Sequence, residues 1–175
     1  MSDEWRALHE RLSKNTVERL CSRMKDNPDA LNEAIGLLED TDIRYRSVAA
    51  WVLKTYAVDK KCGLSPDHCK RVLKRFMKEQ ESDMVTRSAL QMMLRLGIPE
   101  EYEGSIYDRC MEHVRSKPSI AVTAFSIRVL NQTVSKYPDL GQEYRDFLES
   151  VPDESPGVRV AKRDGLRILD TLQPN

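Results

Sequence analysis

Glycine and histidine are scarce in this chain, with seven and three among 175 residues. Few glycines leave no Gly-rich phosphate loop and no nucleophile elbow, which removes the commonest nucleotide-binding and hydrolase signatures. Three isolated histidines, His9, His68 and His113, cannot build a tetrahedral metal site among themselves, and no metal or other cofactor is expected. The four cysteines, Cys21, Cys62, Cys69 and Cys110, form no CxxC pair. Excess charge of either sign is absent too: 28 basic residues balance 28 acidic ones, and the sequence pI is about 6.8. No apolar run is long enough to span a membrane. The start, Met1-Ser2-Asp3-Glu4-Trp5, is acidic where a signal peptide would be basic, so a cytoplasmic location with reduced thiols is the expectation.

What is present is helical. Leu, Ala, Met, Arg, Lys and Glu dominate, while Val and Ile are scattered without alternation, so no strand is expected. Prolines stand where they can open helices: Asn27-Pro28, Ser65-Pro66 and Ser155-Pro156 each place one behind a capping residue, and Pro99 and Pro118 read the same way. Asn15-Thr16-Val17-Glu18 has the form of a capping box. Cys69, Val72, Leu73, Phe76 and Met77 make one apolar stripe, opposed by Lys70, Arg71, Lys74, Arg75 and Lys78. Leu31, Ala34, Ile35 and Leu38 make a second stripe, and Tyr144, Phe147, Leu148 and Val151 a third. These are amphipathic outer helices. Residues 42–53, 83–94, 119–130 and 158–169 are apolar on more than one face and rich in small residues, as inner helices would be.

The inner segments repeat. Laying 42–53 over 83–94 aligns Asp, Arg, Ser and Leu, and the marker leucines Leu53, Leu94, Leu130 and Leu169 are 41, 36 and 39 residues apart. A period near 40 built of two antiparallel helices belongs to the HEAT and armadillo class. The expected fold is therefore all-α: an α-α superhelix of about four to five HEAT-like helix pairs, forming a single domain over residues 1–175. Residues 1–26 should cap it, with Trp5, Leu8 and Leu12 meeting Val17, Leu20 and Cys21, and residues 27–175 should hold the repeats. Two stretches, PSIAVTAFSIRVLNQTVSKYPDL from Pro118 to Leu140 and RSVAAWVL from Arg46 to Leu53, together with Pro156-Gly157-Val158-Arg159, resemble a family of small bacterial HEAT-like helical proteins without an assigned activity. The resemblance covers roughly residues 30–170 and implies a fold, not a reaction. Members are sometimes labelled adenylosuccinate lyase. This chain is far too short for that enzyme, lacks its Ser-rich signature loop, and has no residue onto which a lyase role maps.

Paired acids such as Glu39-Asp40, Glu79 with Glu81, and Glu100-Glu101 fall at helix ends, where solvated caps and loops are expected. Asp42 with Arg46 and Asp83 with Arg87 are spaced i,i+4, and the arginines lie seven residues before marker leucines, which suggests structural ion pairs on the packing side. Charge distribution gives the one hint of a partner. Residues 42–57, 83–96, 119–136 and 157–170 hold 11 basic and 4 acidic residues, leaving 17 basic and 24 acidic for the rest. Lys54, Arg95, Arg128 and Arg167 recur about once per repeat, and Trp51 and Met92 fall on the same stripe. The expected function is a non-enzymatic scaffold that binds a protein or acidic peptide on this basic concave face. Cations near helix C-termini also complement the helix dipole without any ligand. The alternative is a nucleic-acid-binding protein resembling HEAT-like alkyl-base DNA glycosylases, against which zero net charge and few repeats argue. Self-association could cover one end of the stack, and the oligomeric state is left open.

Overall fold

A computed structural model describes residues 3–11, 13–58, 62–78, 81–116, 119–152 and 155–172; Leu12, Glu79, Pro118 and the Leu8 side chain fall outside the described residues. Every described regular element is helical. The helices group into two compact units, residues 1–96 and 97–175.

The first unit contains α1 (Asp3–Glu10), α2 (Lys14–Asp26), α3 (Pro28–Gly36) with a 3₁₀ turn at Leu37–Glu39, α4 (Ile43–Tyr56), α5 (Pro66–Phe76) and α6 (Asp83–Leu96). The starts follow the capping chemistry. The Asn27 side chain accepts from the Asp29 amide at 2.9 Å, and Asp42 accepts from the Arg44 amide at 2.8 Å. Ser65 and His68 form a reciprocal capping box: the Ser65 hydroxyl accepts from the His68 amide, and His68 Nδ1 accepts from the Ser65 amide. Burial, followed by the nearby Arg71, lowers the His68 pKa, which keeps Nδ1 free to accept. Asn15 and Thr16 cap nothing, because α2 already begins at Lys14 behind Ser13.

The inner helices α4 and α6 pack on one another, with α3 and α5 outside them. Trp5, Leu20, Ile35, Leu53, Phe76 and Leu90 are fully buried. Helix α1 packs on α2 and α4. The Tyr56 hydroxyl donates to the Met24 carbonyl at 3.3 Å and accepts from the Gly63 amide at 3.1 Å, tying α4 to α2 and to the following loop. Helix α6 ends at Gly97, whose φ of 82° is the left-handed conformation that terminates helices at little cost in glycine.

The expectation of a solvated Glu81 is corrected. Its side chain is 2% exposed, and it sits between Arg46, 3.4 Å away, and Arg75. Arg46 also donates to the carbonyls of Asp40 and Thr41 at 2.8 and 2.9 Å. A lone carboxylate could not be buried this way; two guanidinium groups make it tolerable. Arg46 is thus structural, as its position suggested, but its ionic partner is Glu81. Asp42 instead faces His9 at 2.9 Å.

The second unit contains α7 (Glu100–Arg115), α8 (Ile120–Lys136), a 3₁₀ turn at Pro138–Leu140, α9 (Gly141–Ser150) and α10 (Pro156–Leu172). Here α8 packs on both α7 and α10, and α9 packs on α10. Buried Ser155 caps α10 by accepting from the Val158 amide at 3.2 Å. A buried polar network fixes the centre. Asn131 donates to the Ala161 carbonyl at 3.0 Å, and its Oδ1 accepts from the Tyr144 hydroxyl at 2.6 Å. Gly165 makes room for this amide, since a Cβ there would lie 2.4 Å from Asn131 Oδ1 and 2.8 Å from Leu148 Cδ1.

Candidate partner-binding face

In the first unit the outward face of the α4–α6 pair carries three cations. Near one end, the Ser47 and Ser82 hydroxyls meet at 2.8 Å. Further along, Trp51 and Lys54 follow on α4, while Arg87, Gln91 and Arg95 recur every four residues on one face of α6. Lys54 is half-buried, and its pKa is lowered first by burial and then by the charges of Arg87 and Arg95. Arg87 and Arg95 are about 12 Å apart along a helix of ordinary rise, so a lysine that senses both lies alongside the turn between them. Among the described residues no carboxylate pairs with any of the three. The helix dipole accounts for Lys54 and Arg95, which stand in last turns. It does not account for Arg87, which stands five residues into α6, nearer the positive end.

Two expectations change with this geometry. Arg87 was expected to be a packing-side partner of Asp83; among the described residues it makes no ion pair and belongs to the cationic face. Met92 was expected on the exposed stripe beside Trp51, but it is 3% exposed and lies in the core against a small void lined by Leu38, Leu53, Val72 and Ala89. The reason is register. The burial patterns of α4 and α6 coincide at a shift of 40, not 41: Ala49 with Ala89, Ala50 with Leu90, Val52 with Met92 and Leu53 with Met93 are all buried pairs. One residue turns a helix by about 100°, enough to move a side chain from flank to core. Gln91, not Met92, is therefore the counterpart of half-buried Trp51.

At its Ser47 end the face opens into a cavity of about 620 Å³ lined by residues that include His9, Arg11, Ile43, Arg44 and Met84. Ile43 is 44% exposed, giving the cavity an apolar lip. The His9 ring stacks on Tyr45 at 4.1 Å while pairing with Asp42. Asp42 is held below the usual carboxylate range by the Arg44 amide and then by His9. In the sequence His9 stands isolated because its partner is 33 residues away; no local signal marks a contact of that range.

The remaining predicted cations belong to the second unit. Half-buried Arg128 lies 5.2 Å over the Phe125 ring on α8, and Arg167 is exposed near the end of α10. Three of the thiols are poor nucleophiles. Burial pushes Cys21 up to about 11, raises Cys69, and raises fully buried Cys110 further. No group of three or more His, Cys, Asp or Glu among the described residues could hold a metal ion. No described helix is long and apolar enough to cross a membrane.

Paired helices with buried inner members and a solvated outer layer define an all-α helical-repeat protein. The family model of the HEAT repeat domain matches residues 5–169, and the chain belongs to that family. Such repeats are helical scaffolds that commonly mediate protein interactions. Comparison with curated proteins and with solved structures gave no match.

Proposed function

We propose that the chain is a non-enzymatic HEAT-repeat scaffold that binds an acidic protein segment on the α4–α6 face. The observation that carries this reading is the convergence of Lys54, Arg87 and Arg95 without an anionic partner among the described residues. Mutual repulsion and the partial desolvation of Lys54 are relieved when a carboxylate or phosphorylated side chain enters. Trp51 beside them supplies amphipathic contact area of the kind that anchors protein interfaces. Arg128 and Arg167 are proposed separately, as binding cations of the second unit taken by itself, and a cytoplasmic location goes with the proposal.

The test is capture from the native cell extract at low salt, comparing wild type with a Lys54→Glu, Arg87→Glu, Arg95→Glu variant and a separate Arg128→Glu, Arg167→Glu variant, each shown folded by circular dichroism. Loss of an acidic protein partner in the first variant, and weakening of wild-type capture with added salt, are expected. Identical capture by all three proteins would sink the reading. The glycosylase-like alternative is checked alongside with a labelled duplex at low salt, where no binding is expected; release of alkylated bases would make the protein an enzyme.

A further inference from the structure

A second surface, of opposite sign, lies wholly within the second unit and is independent of the face just described. Residues 97–175 hold 13 acidic and 10 basic residues, against 15 and 18 in residues 1–96. The acidic excess is concentrated at one cleft of about 500 Å³, lined by α7, the end of α8 and the start of α9. Five carboxylates line it. One is accounted for: Glu103 accepts from Lys136 Nζ at 2.8 and 2.9 Å and from the Tyr137 hydroxyl at 2.5 Å. The other four, Glu100, Asp108, Asp139 and Glu143, make no described ion pair.

Acidic side chains alone would be ordinary solvated surface. Tyr107 is the independent sign of a ligand. It lines the same cleft and is 7% exposed, and its buried hydroxyl has no hydrogen-bond partner. Burial and then the charges of Glu143 and Asp108, both of which line the cleft, push the hydroxyl up to about 12, against a smaller opposing effect of Arg115. A buried tyrosine hydroxyl ordinarily finds a partner. This one is protonated at neutral pH, and its oxygen can accept from a donor that enters the cleft.

The structure points to this cleft as a binding site for an arginine side chain of a partner's basic segment, and we propose it as such. A guanidinium brings five N–H donors in a planar fork, matching several separate acceptors around one small volume, whereas an ammonium brings three from a single point. The Tyr137 ring already carries the Lys136 ammonium 5.2 Å from its centre, so the aromatic lining tolerates cations. Gly104 lines the cleft, and a Cβ there meets nothing within 4 Å, so its floor is open.

The test uses the full chain with labelled hexa-arginine and hexa-lysine peptides, followed by fluorescence anisotropy at low salt. Hexa-arginine should bind saturably and more tightly than hexa-lysine. Asp108→Asn with Glu143→Gln should weaken it by about tenfold or more, as loss of charge-assisted hydrogen bonds does. Gly104→Leu fills the cleft without backbone strain and should weaken it similarly. Tyr107→Phe should weaken it with little change in fold, measured by circular dichroism. Asp146→Asn with Glu149→Gln removes two exposed charges of the same unit that do not line the cleft, and should leave the affinity unchanged. Equal affinity for the two peptides, or equal loss in the cleft and control variants, would show diffuse charge attraction and overturn the site.

Discussion

Glu103 shows how one side chain can answer to two demands. Its partial burial favours the protonated acid, but the Lys136 and Tyr137 hydrogen bonds favour the anion and win, so its pKa lies below the ordinary carboxylate value. Glu39, held by the Arg71 guanidinium, is depressed as well, against a smaller opposing effect of burial. A depressed folded-state pKa means stability that is fully present above the unfolded carboxylate value and is lost as pH falls through the folded one. The denaturation midpoint should therefore drop on acidification below about pH 4. Glu103→Gln should flatten part of that drop, because the glutamine has no proton to gain; a profile unchanged by the substitution would deny the pairing any share in acid stability. Nothing in the sequence announced these bonds, since Glu103 and its two partners are 33 and 34 residues apart.

Elements were legible where their signals are local. Pro28, Pro66 and Pro156 open α3, α5 and α10 as their spacing indicated, and Val72, Leu73 and Phe76 are buried beneath the basic face of α5. Alternation of amphipathic and broadly apolar segments disclosed the outer and inner helices. The rotational setting of α6 was not legible. Aligning Asp42 with Asp83 matched letters, yet Asp42 precedes α4 as its cap whereas Asp83 is the first residue of α6. That single-residue difference misplaced Met92 and hid Arg87. The corrected register has an energetic signature: Met92→Ala should cost about 2–5 kcal/mol, as truncation of a core methionine does, while Gln91→Ala should stay within about 0.5 kcal/mol. Urea denaturation of both variants measures the difference, and the reverse order would restore the original alignment.

At the scale of the whole molecule, the repeat period was enough to reach the fold class and the family, because stacked helix pairs impress the same hydrophobic spacing on every copy. Charge asymmetry was legible as an excess on the inner segments. Its division between residues 1–96 and 97–175 was not, since it depends on where the chain divides into compact units. The expectation of one domain over residues 1–175 remains a proposal at this scale. It implies a single cooperative transition, with circular dichroism and tryptophan fluorescence coincident; both tryptophans, Trp5 and Trp51, belong to the first unit, so separate transitions would disperse the two probes.

The cysteines give the same question a clock. Cys21, Cys62 and Cys69 are half-buried in the first unit, whereas Cys110 is sealed in the second with no exposed surface. A thiol reagent in excess should consume the first three early, and the fourth only as often as the second unit opens. Cys110 is thus a stopwatch set inside one unit, and it can be read while the other is damaged. If Met92→Ala quickens the labelling of Cys110, the injury has travelled along the chain and the units share one fate; if the rate holds, each unit keeps its own time.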